Sequence, residues 1–234
     1  MSRSIRLWAA AAGMVATCAV GLAVGTRLHR TDDSAFGDKV RAYIVSHPEV
    51  LREAATKLAL APYRAAIETP FASAWAGNPK GDVTMVVFTD YNCPYCRATS
   101  PEIDRLVASD PRLKVVWREM PVLGPGSEAA AAAALGAAQQ SKYLAFHRAL
   151  FSGGHPDANG LVAVAKAAHI APDKLAAAAG TPGVQTEIQT NLALGQRLEI
   201  AATPFFIVGN RTIQGAVGYD RLAAAVAEAR RDAQ

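Results

Sequence analysis

The stretch VTMVVFTDYNCPYC, residues 83–96, decides how this sequence is interpreted. Residues 83–89 are continuously apolar or β-branched, which predicts a strand buried on both faces of a sheet. Residues 90–92 then predict a turn, and the cysteines Cys93 and Cys96 follow at once. Because the chain beyond them has helical spacing of apolar side chains, we expect a C-x-x-C pair where a buried strand meets a helix.

This position suits thiol–disulfide exchange, in which one thiolate attacks and a second thiol resolves the mixed disulfide. Unpaired N–H groups and the positive end of the helix dipole favour a thiolate at a helix N-terminus. Pro94 fits the first helical turn, where its missing N–H costs no hydrogen bond. We therefore predict that Cys93 is the attacking sulfur and that Cys96, one turn further along, is the resolving thiol.

Two other uses of these cysteines stay open. One is a structural disulfide, although so short a loop adds little stability. The other is a copper(I) site with the two sulfurs as soft ligands. A zinc site would need more ligands, and no resident metal or cofactor is predicted. The histidines of the body lack ligand spacing and are expected to be surface or helix residues: His47, His147, His155 and His169.

Residues 1–30 have the composition of an export segment. An uncharged apolar run extends from Leu7 to Gly25, and it is flanked by four arginines: Arg3, Arg6, Arg27 and Arg30. A positively charged start followed by such a run is typical of an export signal, and this run is nearly long enough to cross a bilayer. Both a cleaved signal peptide and an uncleaved membrane anchor fit. Either one places the rest of the chain outside the cytoplasm.

The remainder of the chain is electrically balanced. Beyond the four N-terminal arginines, 20 lysines and arginines stand against 20 aspartates and glutamates. A neutral body lacks the basic surface that nucleic acid requires, so that class of partner is excluded. The third cysteine, Cys18, lies within the apolar run, which leaves Cys93 and Cys96 as the thiols of the exported body.

Ahead of the sheet, the sequence predicts helices between two linkers. Residues 31–37 are polar and predict a linker, 38–68 predict amphipathic helices that break just before Pro48, and 70–81 predict a second linker. These helices would pack on the main domain or on copies of themselves.

The order of elements that follows is that of a thioredoxin fold. A strand, a helix and a second strand imply a parallel pair with a crossover connection. An alanine-rich stretch then predicts about four helices, and a Gly-Asn loop between two short strands predicts a hairpin. The predicted elements after the first strand and its helix are a strand at 114–118, helices within 127–200, strands at 205–208 and 211–214, and a helix from Asp220.

Three segments resemble the DsbA-like family of bacterial thiol–disulfide oxidoreductases. Residues 88–97 resemble the active-site strand and helix of that family, 118–125 the segment after its second strand, and 202–209 its cis-proline loop. The resemblance extends from about Val83 to the C-terminus. Residues 40–51 are similar to the N-terminal segment of the ScsC-like subgroup, where that segment mediates oligomerisation.

The resemblance implies a cis peptide bond between Thr203 and Pro204 and a catalytic set of Cys93, Cys96, Thr203 and Pro204. It implies protein substrates with cysteines, a membrane redox partner, a homo-oligomer, and a periplasmic location, soluble or tethered to the inner membrane. The direction of electron flow stays open between a disulfide donor and a reductase or isomerase. Thr203 before the proline and the N-terminal segment favour the latter.

One departure from the family concerns proton transfer. Many relatives carry a buried glutamate six positions before the first cysteine, where this chain has Val87. Asp90 is nearer but lies in the turn, and we interpret it as a helix cap. The sequence leaves open which group serves the resolving thiol.

We therefore predict an α/β protein, a thioredoxin fold with an inserted helical domain, preceded by an N-terminal helical segment. The expected division is 1–30 for the signal peptide or anchor, 31–75 for the helical segment and 76–234 for the DsbA-like domain, with the insertion at about 125–200.

Overall fold

A computed structural model describes residues 34–153 and 157–233. In these two ranges, no helix is both long and apolar enough to cross a membrane. The predicted signal peptide or anchor, including Cys18, lies outside the described residues, and so does His155.

The described chain divides into two compact units between Arg52 and Glu53. In the first unit, residues 34–46 form helix α1, so the predicted linker is wrong over 34–37. Helix α2, Pro48–Leu60, begins at the proline, as predicted. Several large apolar side chains of the first unit are exposed: Phe36, Val40, Tyr43, Val45, Val50 and Leu51.

The second unit is built on one five-stranded sheet. Its strands are β1 (Trp75–Gly77), β2 (Val83–Thr89), β3 (Leu113–Glu119), β4 (Phe205–Val208) and β5 (Arg211–Gln214), in the order β1-β3-β2-β4-β5. The pair β2–β3 is parallel and the other neighbours are antiparallel. The predicted strands and hairpin are confirmed. The predicted linker at 70–81 is wrong over β1, which pairs with β3 at one edge of the sheet.

Helices flank this sheet and fill the insertion. They are α3 (Arg64–Glu68) after a 3-10 turn (Ala61–Tyr63), α4 (Pro94–Ser109), α5 (Pro125–Gln139), α6 (Tyr143–Ser152), α7 (Ala158–Ala167), α8 (Pro172–Ala179), α9 (Pro182–Arg197) and α10 (Tyr219–Asp232). The described part of the insertion thus holds five helices where about four were predicted. The missed break lies between α5 and α6, where Ser141 adopts a left-handed conformation with φ of 58°. Neither glycine nor proline marks that break in the sequence.

The sheet separates two apolar cores, because successive residues of a strand point to opposite faces. Met85, Val87 and Trp117 pack on one face with α4 and with the insertion helices. Phe88 and Val116 pack on the other face, in a core of the second unit that also contains Leu60, Ile67 of α3 and Leu194 of α9. Both strands of the parallel pair are therefore buried on both sides, as their unbroken apolar runs predict.

Arg118 is a buried cation that joins three elements on the second face. It donates hydrogen bonds to the backbone oxygens of Ala66, Ile67 and Thr69 around the end of α3, the one to Ile67 at 3.0 Å. Its guanidinium also pairs with the Glu187 carboxylate of α9 at 2.6 Å. The end of a helix leaves carbonyl groups without helical partners, and a cation nearby satisfies them.

Replacing Arg118 with methionine should lower the free energy of unfolding by about 3–5 kcal/mol, because it leaves Glu187 and the three carbonyls without their buried partner. Arg112→Met is the matched control. Its guanidinium is exposed and pairs with Asp82 at 3.3 Å, so the loss should stay below about 1 kcal/mol. Urea unfolding of both variants measures the difference, and equal losses would contradict the role given to Arg118.

Candidate active site

The two cysteines lie where β2 passes into α4. Cys93 is the N-cap residue of the helix, with extended backbone angles and no side-chain capping bond, and Pro94 occupies the first turn. The Cys93 N–H donates to the Asp90 backbone oxygen at 3.1 Å, which closes the turn. The Cys93 sulfur thus belongs to the residue that begins the helix, where the positive end of the dipole favours negative charge.

The structure brings together all four residues of the predicted catalytic set. The Cys93 thiol donates to the Thr203 backbone oxygen at 3.2 Å, and the Thr203 hydroxyl bonds to Cys96. The Thr203–Pro204 peptide bond is cis, as the resemblance implied. Both thiols are free, and only 4% of the Cys93 surface is exposed.

The resolving thiol holds its proton strongly. Burial raises the pKa of Cys96 to about 12, although hydrogen bonds from the Thr89 side chain and the Asp90 backbone oppose the rise. At neutral pH the reduced protein therefore carries Cys96 as a thiol. Closing the disulfide requires that this proton be removed within a buried region.

Asp90 does not cap the helix, so that interpretation is wrong. Its buried carboxylate accepts hydrogen bonds from the N–H groups of Asn92 at 2.8 Å, Val122 at 2.8 Å and Leu123 at 3.1 Å, and from the Ser127 hydroxyl at 2.7 Å. The carboxylate therefore ties the turn before the cysteines to the segment that enters α5. Asp90 was misread because its partners come from a distant part of the chain.

Three large apolar side chains close to this junction are exposed. Tyr95 lies between the two cysteines, and Val122 and Leu123 belong to the segment that Asp90 holds. Exposed apolar groups near a reactive centre can contact another protein.

A buried polar cluster that the sequence did not predict lies on the insertion side of the sheet. Glu119, which is 0% exposed, accepts hydrogen bonds from the hydroxyls of Tyr91 at 2.9 Å and Tyr143 at 2.6 Å. Tyr91 also bonds to Nδ1 of His147 at 2.8 Å. His147 lies on helix α6, which fits the expected surface or helix placement, and its side chain is only 2% exposed. An acid that ends an apolar strand was the available signal.

Burial determines the protonation of this cluster. It raises the pKa of Glu119 to about 8, against the hydrogen bonds from Tyr143 and Tyr91. It lowers the pKa of His147 to about 3, with a smaller contribution from the charge of Arg148. His147 is therefore neutral at neutral pH. The Glu119 carboxyl loses its proton only near pH 8.

The described residues contain no group of three or more His, Cys, Asp or Glu side chains that could hold a metal ion.

Residues 84–227 match the family model described as the DSBA-like thioredoxin domain. The chain belongs to this family. DsbA-like proteins are thiol–disulfide oxidoreductases, which agrees with the cysteine pair and its surroundings. Residues 32–59 match a second model, the N-terminal domain of the copper resistance protein ScsC.

Solved structures agree with this membership. A thioredoxin-like oxidoreductase from Silicibacter pomeroyi is 42% identical with a TM-score of 0.67, covering 70% of this chain and 95% of its own. The catalytic domain of Proteus mirabilis ScsC is 29% identical with a TM-score of 0.69, covering 75% and 98%. The thiol-disulfide exchange protein α-DsbA2 of Wolbachia pipientis is 27% identical with a TM-score of 0.72, covering 76% and 97%.

Among curated proteins, the sodium/proton antiporter NhaA 3 of Salinispora tropica is 27% identical over 65% of this chain. The chain spans only 24% of the length of that antiporter.

The titration of Glu119 should make stability depend on pH. Between the ordinary value of 4.5 and about 8, the folded chain keeps a proton that the unfolded chain has lost. This proton adds to the free energy of unfolding an amount on the order of a few kcal/mol. The contribution is fully present below about pH 4.5 and is lost as the pH rises through about 8. Glu119→Gln should lack this loss. Urea unfolding of both proteins at several pH values tests this, and a constant difference between them would contradict it.

Proposed function

We propose that this protein exchanges disulfides with protein substrates through Cys93-Pro94-Tyr95-Cys96. The observation that carries the proposal is the Cys93 sulfur at the start of α4, 3.2 Å from the Thr203 backbone oxygen. In the reducing direction, the Cys93 thiolate attacks a substrate disulfide and releases one substrate thiolate. Cys96 then attacks the Cys93 sulfur, and the second substrate thiolate leaves. The oxidising direction is the reverse.

Backbone and apolar contacts would hold the substrate during this exchange. An extended substrate segment beside Thr203 would align its backbone with the free backbone groups of Thr203 that precede β4. Tyr95, Val122 and Leu123 offer apolar surface to a partly unfolded protein. We assign Thr203 and Pro204 to substrate positioning on this basis.

We place the exchange in the periplasm, with the protein soluble or tethered by its N-terminal segment, because an apolar run between arginines precedes the described chain. Continued turnover needs a partner that resets the cysteine pair, and we propose a membrane redox protein. The direction is to be read from the reduction potential. A reduction potential of about −120 mV would mark a disulfide donor, one of about −180 mV an isomerase, and one of about −270 mV a reductase.

The two cysteines should fail in different ways. Cys93→Ser should abolish insulin reduction and the refolding of scrambled ribonuclease. Cys96→Ser should keep the attacking sulfur and therefore accumulate mixed disulfides, visible as adducts on non-reducing gels. Exchange activity that survives in Cys93→Ser would contradict the proposal.

Copper(I) binding by the same sulfurs is the second candidate function. It is favoured by the two free thiols and by the match of residues 32–59 to a domain named for copper resistance. Tight copper(I) binding without exchange activity in the unaltered protein would replace the first proposal with this one.

We also propose that the N-terminal segment forms a homo-oligomer, because α1 exposes Phe36, Tyr43 and Val45. Light scattering of the full chain should give a multiple of the monomer mass. Tyr43→Glu should dissociate it by placing a charge in the apolar contact, whereas Lys39→Glu, on the same helix, should leave it intact. A monomer at micromolar concentration would contradict this proposal.

A further inference from the structure

The buried cluster of Glu119, Tyr91, Tyr143 and His147 has no part in the exchange described so far. One carboxylate oxygen of Glu119, Oε1, accepts both tyrosine hydroxyls. The other, Oε2, is buried without a hydrogen-bond partner among the described residues. A buried carboxylate with an unsatisfied oxygen is costly when charged, so such a group calls for an explanation.

The strands place this carboxyl beside the resolving thiol. In the parallel register Glu119 lies opposite Thr89, and the Thr89 hydroxyl bonds to Cys96. Thr89 and Glu119 continue the odd-numbered positions that face α4, as Val87 and Trp117 do. Glu119 is therefore one strand over and two residues along from Val87, where many relatives carry their acid.

Tyr91 holds the carboxyl on the same side of the sheet as Cys96. Its hydroxyl bonds to Glu119, and its ring shares a core with Cys96. Burial raises the pKa of Tyr91 well above its ordinary value, and negative charge on Glu119 and on Cys96 adds to the rise. Tyr91 is therefore within electrostatic reach of both groups.

The hydrogen bonds of the cluster allow a proton to be added at Oε2 or removed without rearrangement. When Tyr91 donates to Oε1, Nδ1 of His147 must carry a hydrogen and donate to the Tyr91 oxygen. This pattern leaves Oε2 uninvolved, so the same three bonds persist whether Glu119 is charged or neutral.

We propose that Glu119 exchanges a proton with Cys96 by way of the Thr89 hydroxyl, its neighbour across the strand pair, each time the active-site disulfide opens or closes. This inference rests on the proposed disulfide exchange. Glu119 does not touch the reacting sulfurs. It holds the proton and acts on Cys96 through another residue, so it is a positioning residue.

The step balances in both directions. When a substrate thiolate attacks Cys93, the Cys93–Cys96 bond breaks and its electron pair leaves on the Cys96 sulfur, which takes the proton of the Glu119 carboxyl. When Cys96 resolves a mixed disulfide, the Glu119 carboxylate takes the thiol proton. The Cys96 sulfur then bonds to Cys93, and the substrate sulfur leaves with the electron pair. Burial sets the pKa of Cys96 at about 12 and that of Glu119 at about 8, so transfer to the thiolate is downhill.

The other groups around Glu119 do not change their protonation state near pH 8. His147 and the two tyrosines stay neutral, and Arg148 is paired with Asp104 at 2.9 Å. The Asp90 charge adds to the raised pKa of Glu119. A pH effect near 8 on the resolving step is therefore assigned to Glu119.

The test separates the two steps with dithiobisnitrobenzoate as the disulfide. Attack by Cys93 on the reduced protein releases one thionitrobenzoate, and resolution by Cys96 releases the second. Glu119→Gln keeps an Oε1 acceptor but exchanges no proton. Its first phase should match the unaltered protein, and its second should slow by about 100-fold, the lower end of general acid–base effects. The inflection in rate near pH 8 should also disappear. Glu128→Gln, at an exposed position of α5, should change neither phase.

A second phase slowed by less than about tenfold, or one that keeps its inflection, would overturn the proposal. If Glu119→Gln does not fold, carbon-13 NMR of labelled glutamate carboxyls in the unaltered protein decides. The proposal requires one carboxyl that titrates near pH 8 and responds to the redox state, and a set of carboxyls all ionised above pH 6 overturns it. Absence of the second phase in the unaltered protein would instead overturn the proposed exchange.

Discussion

The parallel pairing of β2 with β3 is the constraint on which the whole site depends. Parallel strands end at the same edge of a sheet, so Thr89 and Glu119 come to lie side by side where the chain turns into α4. The antiparallel strand β4 begins at the same edge, with Phe205 opposite Phe88. Three distant segments therefore meet at this edge: the cysteines, the end of β3, and the Thr203–Pro204 peptide.

Burial then decides the charge state of each group at this edge. Cys96 keeps its proton, Glu119 keeps its proton up to an unusually high pH, and His147 does not take one up. In each case the low dielectric of the interior disfavours the charged form. The adjacent residue Arg118 points to the opposite face and stays charged, because Glu187 and three carbonyls surround it. Because side chains alternate along β3, Arg118 is buried as a paired cation on one face, whereas Glu119 is buried on the other face with a raised pKa.

Much of the fold was predictable because its signals are local. Long apolar runs mark β2 and β3, Gly209 and Asn210 mark the hairpin, and Pro48 marks the start of α2. The strand β1 was missed because three residues that include a glycine carry no periodic pattern. The break at Ser141 was missed because an alanine-rich helix can end without glycine or proline. Asp90 and Glu119 were misread or missed because their partners are supplied by other parts of the chain.

The sequence by itself determined that two cysteines begin a helix after a buried strand, because spacing and hydrophobic pattern are properties of neighbouring residues. It also indicated the thioredoxin arrangement, through the order of strands and helices. Only the tertiary structure decided which groups surround the cysteines. Hydrogen bonds such as those from Tyr91 and Tyr143 to Glu119 join residues 28 and 24 positions apart. The raised pKa of Glu119 comes instead from the exclusion of water, which opposes these bonds and exists only once the sheet and the insertion have packed together.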